Sequence, residues 1–199
     1  MLNKRFVTNG LLSIISQSLP IFILQFMIHP FLGNQLEASE YGALIVGIAL
    51  VNLSGLTLGN VLNNSRLLIQ KTYTKKKIVG DYNIILLGFI LLNIAVVTFL
   101  LLVYLNPTDS LNFQGLLFLS IILILNGYLS VEFRIKLDFR SILYESSFLS
   151  LGYGLGFYLY TLTGYWPFIY ITGVFCSCGY LVYKTSILKE PFKTTPMFG

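Results

Sequence analysis

Five stretches of this chain contain no Asp, Glu, Lys or Arg: Phe6–Leu36, Tyr41–Ser65, Tyr82–Thr108, Ser110–Val131 and Ser146–Tyr183. About 20 apolar residues cross the ~30 Å hydrocarbon core of a bilayer as a helix. Each of the first four runs is long enough for one crossing. The fifth would measure about 57 Å as one straight helix at ~1.5 Å per residue, and Gly164-Tyr165-Trp166-Pro167 lies in its middle. It reads as two helices joined by a tight turn. The expected fold is therefore an all-α integral membrane protein, a six-helix transmembrane bundle. Its spans are placed near 8–32, 41–64, 82–105, 111–132, 141–163 and 167–187, in one lobe over residues 1–199.

The composition agrees. Of the 199 residues, 55% are hydrophobic and 11% charged, against about 25% charged in soluble domains. A chain of this size lacks the polar surface to wrap such runs inside a globule. A β-barrel would need alternating polarity over segments of about ten residues. Only VEFRIKLDFRS, Val131–Ser141, alternates in that way. The same segment also reads as helix, because Glu132 with Lys136 and Arg134 with Asp138 pair at a spacing of four. No cleaved leader is expected: the run after Lys4 and Arg5 is too long for one and lacks an A-x-A site.

The charges segregate by connection. All thirteen lysines and arginines fall at the N-terminus (Lys4, Arg5), in the second loop (Arg66, Lys71, Lys75, Lys76, Lys77), in the fourth (Arg134, Lys136, Arg140) and in the tail (Lys184, Lys189, Lys193). The first loop holds Glu37 and Glu40, the third Asp109, the fifth no charge. Basic loops stay in the cytoplasm, so both termini are expected inside and the protein in a cytoplasmic membrane as a multi-pass chain. The net charge of +5 then serves anionic membrane lipids, and no nucleic-acid partner is expected because no basic stripe lies on a soluble domain. The fourth loop is either a solvated helix extension that sets topology or a landing site for an anionic headgroup. Trp166 and Tyr165 at the outer boundary, and Tyr41, Tyr82 and Tyr144 near others, suit an aromatic belt.

The six spans are read as free of Asp, Glu, Lys and Arg, which weakens a simple proton-coupled pump. Uncharged polar groups remain. Helix one carries Ser13, Gln17, Pro20 and Gln25, and Pro20 is expected to bend it as a gating element. Helix two carries Asn52, Asn60 and Asn63; Asn93 and Asn126 follow in helices three and four. These either hydrogen-bond between helices or line a polar cavity, with Gln17, Gln25, Asn52 and Asn60 as substrate-binding candidates. His29 is either an interfacial polar group or a proton-coupling one. The pairs Gly55/Gly59, Gly152/Gly156 and Ala43/Gly47 suit close helix packing within the chain. Cys176 and Cys178 form no zinc spacing and read as soft apolar filler. No metal site, cofactor or catalytic constellation is expected, and the chain is not read as an enzyme.

HPFLGNQLEASEYGALIVGIALVNLSGLTLGN resembles the region of helices one and two in bacterial polysaccharide-repeat-unit flippases, of the multidrug, oligosaccharidyl-lipid and polysaccharide exporter superfamily. The shared pattern falls on Pro30, Leu32, Glu40, Tyr41 and Gly42. The segment from Phe133 to Gly173 resembles the helix four to six region of O-antigen and capsule flippases, through Ile142-Leu143, Gly152-Tyr153, Gly156, Gly164-Tyr165-Trp166, Ile169-Tyr170 and Gly173. Val174 stands where family members tend to carry an acidic residue.

The resemblance implies a transporter that flips an undecaprenyl-diphosphate-linked oligosaccharide by alternating access, in cell-surface polysaccharide biosynthesis. It implies Arg66, Arg134 and Arg140 as candidates for attracting the diphosphate. It also implies two six-helix lobes, of which this chain corresponds to the N-terminal one. A truncated or split half, a lobe paired with a separate second half, and a homodimer follow as expectations. The rival readings are a drug or small-metabolite exporter of the same superfamily, which more often keeps a membrane carboxylate, and a non-transporting membrane scaffold for envelope polysaccharide synthesis.

Overall fold

The computed structural model describes residues 4–68, 79–104 and 110–185. These residues form helices joined by short turns, with no strand among them. Helix α1 spans Lys4–Phe22, widens into a π-helical turn at Ile23–Ile28, and continues as α2, His29–Gln35. Then come α3 (Ala38–Leu68), α4 (Val79–Tyr104), α5 (Ser110–Lys136), α6 (Phe139–Thr163) and α7 (Pro167–Lys184). Among the described residues most helices outrun the spans expected from sequence by a few residues. The polar residues that end each apolar run continue the helix instead of leaving it.

Four helical segments are long and apolar enough to cross a membrane: Val7–Gln35, Ala38–Leu68, Tyr82–Tyr104 and Asn112–Arg134. Helices α6 and α7 fall short of the same measure. The first is diluted by Ser, Gly and Tyr, and the second, 18 residues long, by Pro167, its tyrosines and Lys184. The reading of every span as free of charge is also corrected: Glu145 lies inside α6 and is half-buried. It sits immediately before the apolar run that starts at Ser146, and so escaped a search for runs.

The turns follow from local chemistry. α6 ends on Gly164, whose φ of 72° is left-handed and whose N–H bonds the Tyr160 carbonyl at 2.8 Å; glycine takes that conformation at least cost. Pro167 then opens α7, where a missing N–H breaks no helical bond. The alternating segment VEFRIKLDFRS is helix, a two-residue turn, then helix. α5 closes with Asp138 N–H on the Phe133 carbonyl (2.9 Å) and Leu137 N–H on the Arg134 carbonyl (3.3 Å), the paired bonds of a Schellman cap. Asp138 then caps α6, accepting from Ser141 N–H at 3.1 Å and Ser141 Oγ at 2.6 Å. The Glu132–Lys136 pair forms at 3.3 Å. The anticipated Arg134–Asp138 pair does not, because the carboxylate is engaged as the cap.

Packing fixes helix directions. α3 and α5 run parallel, closest where a Cβ on Gly59 would lie 3.6 Å from Gly127 Cα and one on Gly55 would lie 3.1 Å from Leu123 Cβ. α6 and α7 are antiparallel; a Cβ on Gly152 would come 2.7 Å from Gly173 Cα, and one on Gly156 would come 2.6 Å from Ile169 Cα. Both glycine pairs thus serve contacts within the chain. α5 lies against α7, α4 lies against α3 and α5, and α1 packs along α6 while scarcely touching α3. These registers bring Arg66, Arg134, Lys136, Arg140 and Lys184 to one end. Glu37 and Glu40 lie at the other, near Trp166. Lys71, Lys75, Lys76, Lys77, Lys189, Lys193 and Asp109 lie outside the described residues.

α1 is seated on α6 through its proline. Pro20 has no N–H to give the Ser16 carbonyl one turn earlier. That carbonyl instead accepts the Ser146 hydroxyl of α6. The helix continues through Pro20, and the widened turn follows, with His29 N–H reaching back five residues to the Leu24 carbonyl.

Candidate functional site

Three polar layers hold α3, α4, α5 and α7 together, and they engage Asn63, Asn83, Asn93 and Asn126. In the first, buried Asn93 accepts from Ser54 Oγ (2.5 Å) and donates to Ser120 Oγ (2.9 Å), linking α3, α4 and α5. In the second, Asn126 donates to Ser177 Oγ at 2.7 Å between α5 and α7. In the third, Asn63 Nδ2 donates to the Gly127 carbonyl at 2.6 Å, and the Tyr128 hydroxyl donates to Asn83 Oδ1 at 2.6 Å. A buried amide without a partner would cost about 1–3 kcal/mol, so such bonds also fix helix register.

The third layer continues into a charged node at the basic end. Arg66 is fully buried. Its Nη1 donates to the Tyr128 carbonyl and its Nη2 to Glu132 Oε1, each at 3.0 Å, and its guanidinium stacks 4.7 Å from the Tyr128 ring centroid. The other Glu132 oxygen meets Lys136 Nζ at 3.3 Å. A stripe on α5 at i, i+4, i+8, Tyr128-Glu132-Lys136, thus receives the last turn of α3. The stripe is visible in the sequence; its partner across 66 residues is not.

The structure does not bring the three arginines to one surface. Arg66 is turned inward to Glu132. Arg134 and Arg140 are exposed on either side of the α5–α6 turn. Glu145 is half-buried farther along α6.

The remaining predicted residues lie on open faces. Only 17% of the apolar window of Val7–Gln35 is buried, so α1 shows one side to α6 and the rest outward. Gln17 and Gln25 are exposed, with Gln17 Nε2 3.4 Å from Ser13 Oγ. On α3, Asn60 is exposed and Asn52 half-buried. Around them stand exposed apolar side chains: Ile14, Ile21 and Phe22 on α1, Phe26 in the π-helical turn, Leu53 and Leu56 on α3. Pro20 is buried against α6.

At the acidic end His29 joins an aromatic cluster. Its Nδ1 lies 3.5 Å from the Tyr41 hydroxyl, and its ring lies 6.3 Å from those of Tyr41 and Tyr170. Tyr170 in turn packs edge-on against Tyr153 and Trp166. Cys178 is buried and its thiol approaches the Ile122 carbonyl at 3.5 Å. Among the described residues no group of three or more His, Cys, Asp or Glu is placed to hold a metal ion.

The chain matches no protein-family model, no curated protein and no solved structure.

Proposed function

We propose that this chain is a six-helix transmembrane lobe of an exporter, with α6 and α7 completing the four apolar spans, and that it takes part in flipping a lipid-diphosphate-linked oligosaccharide across a bacterial cytoplasmic membrane. The observation that carries this reading is the exposure of amides on the open faces of α1, the π-helical turn after it and α3. Amides such as Gln17, Gln25 and Asn60, surrounded by apolar side chains, are costly against hydrocarbon. They suit a water-filled path or a second lobe, which would be a separate half or another copy of this chain. The gathering of bases at one end supports an entry side for an anionic diphosphate, with Arg134 and Arg140 available to it. Arg66 supports that end from within by holding α3 to α5.

The test is a flip assay with fluorescent diphosphate-linked oligosaccharide in proteoliposomes, using this chain alone and then with a second lobe. Transport in either form is the expected result; none in both removes the reading. Export of small cations is favoured by one observation, the carboxylate of Glu145. Efflux of an organic cation that is lost in Glu145→Gln, with no lipid flipping, selects that reading instead.

A further inference from the structure

The α5–α6 turn spends conformational energy on an exposed leucine. Leu137 sits at the position after the helix where a Schellman cap calls for glycine, and its φ is 52°. A residue with a Cβ is strained in that left-handed region, because the Cβ crowds the following carbonyl oxygen. Nothing in the fold repays it, because Leu137 is 71% exposed. Exposed cations surround it: Arg134 one turn before, Arg140 three residues after, and Lys184 at the end of α7, whose charge reaches Asp138 in the same turn. Tyr183 and Tyr144, both largely exposed, stand at the same end.

Depth agrees with chemistry. α5 has 27 residues, about 40 Å at ~1.5 Å per residue. A hydrocarbon core of ~30 Å leaves its end about 5 Å beyond the oil, among the headgroups. An apolar tip ringed by cations suits that layer: the leucine enters the acyl boundary while long bases reach phosphate.

We infer that the α5–α6 turn is a docking site for anionic phospholipid headgroups of the leaflet at the basic end, with Leu137 as anchor and Arg134, Arg140 and Lys184 as phosphate-facing cations. It rests on the membrane reading above and needs no transported substrate. The occupant is bilayer lipid, chosen over a soluble phosphate because a soluble anion gives no use to the strained, exposed leucine.

The experiment uses the full chain in vesicles of phosphatidylcholine with a minor share of phosphatidylglycerol. Lipid retained after detergent extraction is read by native mass spectrometry. The wild type is expected to keep phosphatidylglycerol over phosphatidylcholine. Arg134→Gln, Arg140→Gln and Lys184→Gln should each weaken that retention about fivefold. Leu137→Gly should weaken it too while raising Tm in detergent, since the turn then relaxes. Leu137→Trp with Trp166→Phe should be quenched by lipids brominated near the headgroup. Inorganic phosphate at millimolar concentration should not displace the lipid. Equal retention in the triple glutamine variant, an unchanged Leu137→Gly, or displacement by phosphate overturns the site. A chain that fails to float with vesicles overturns the membrane reading as well; one that floats but keeps no anionic lipid overturns this inference alone.

Discussion

The hydroxyl of Ser146 donates to the carbonyl of Ser16, the carbonyl that Pro20 leaves without a donor in its own helix. A missing bond within α1 thus becomes the bond that seats α1 on α6. Ser146→Ala should lower stability in detergent by about 1 kcal/mol. In a Pro20→Ala background, where residue 20 regains an N–H for Ser16, the same change should cost much less. A double-mutant cycle of thermal unfolding measures the difference, and equal costs in both backgrounds would break the link.

The buried Arg66 guanidinium depends on Glu132. Glu132→Ala leaves that charge without its carboxylate and should destabilise by about 3 kcal/mol, the lower end for breaking a buried pair. Lys136 has a side chain 67% exposed, and Lys136→Ala should cost no more than about 0.5 kcal/mol. Denaturation in mild detergent separates the two.

Asp138 should make the α5–α6 turn acid-sensitive. Its carboxylate is held below the ordinary range by the Ser141 hydroxyl, then by the Ser141 and Arg140 backbone N–H groups and the Lys184 charge. A group whose folded pKa is depressed contributes stability above its unfolded pKa and loses it as pH falls through the folded value. Wild-type Tm should therefore drop in acid more steeply than that of Asp138→Asn, with the gap between them closing below the ordinary carboxylate range. Parallel curves would remove the cap from this role.

Glycine is required on one face of α6 and not on the next. A Cβ at Gly152 would meet the Thr172 carbonyl oxygen at 2.6 Å, whereas one at Gly154 meets nothing within 4 Å. Gly152→Ala should force α7 outward and cost about 1–3 kcal/mol. Gly154→Ala should be neutral or stabilise by up to about 1 kcal/mol. Tm values of the two variants decide it.

Helix positions were legible because charge clusters where helices leave the apolar run; 141–163 was expected and Phe139–Thr163 is observed. The importance of Asn93 and Asn126 was legible too, but not their partners. Ser54, Ser120 and Ser177 look like any small polar residue of a membrane helix until packing brings them together. Arg66 escaped for a related reason. A base at a helix end has the same local sequence whether it reaches outward or turns inward, and only the Tyr128-Glu132 stripe on a parallel neighbour decides. Leu137 gave no signal, since a left-handed turn announces itself in sequence by Gly or Asn. Glu145 stands at the edge of its charge-free run, where a carboxylate reads as part of the connection and not of the helix.

The docking of α1 on α6 sets a schedule for biogenesis. α1 bonds to a helix 130 residues later in the chain, which is made only after α3, α4 and α5. Until α6 emerges the proline-freed carbonyl stays unclaimed, so α1 is made three helices ahead of its seat.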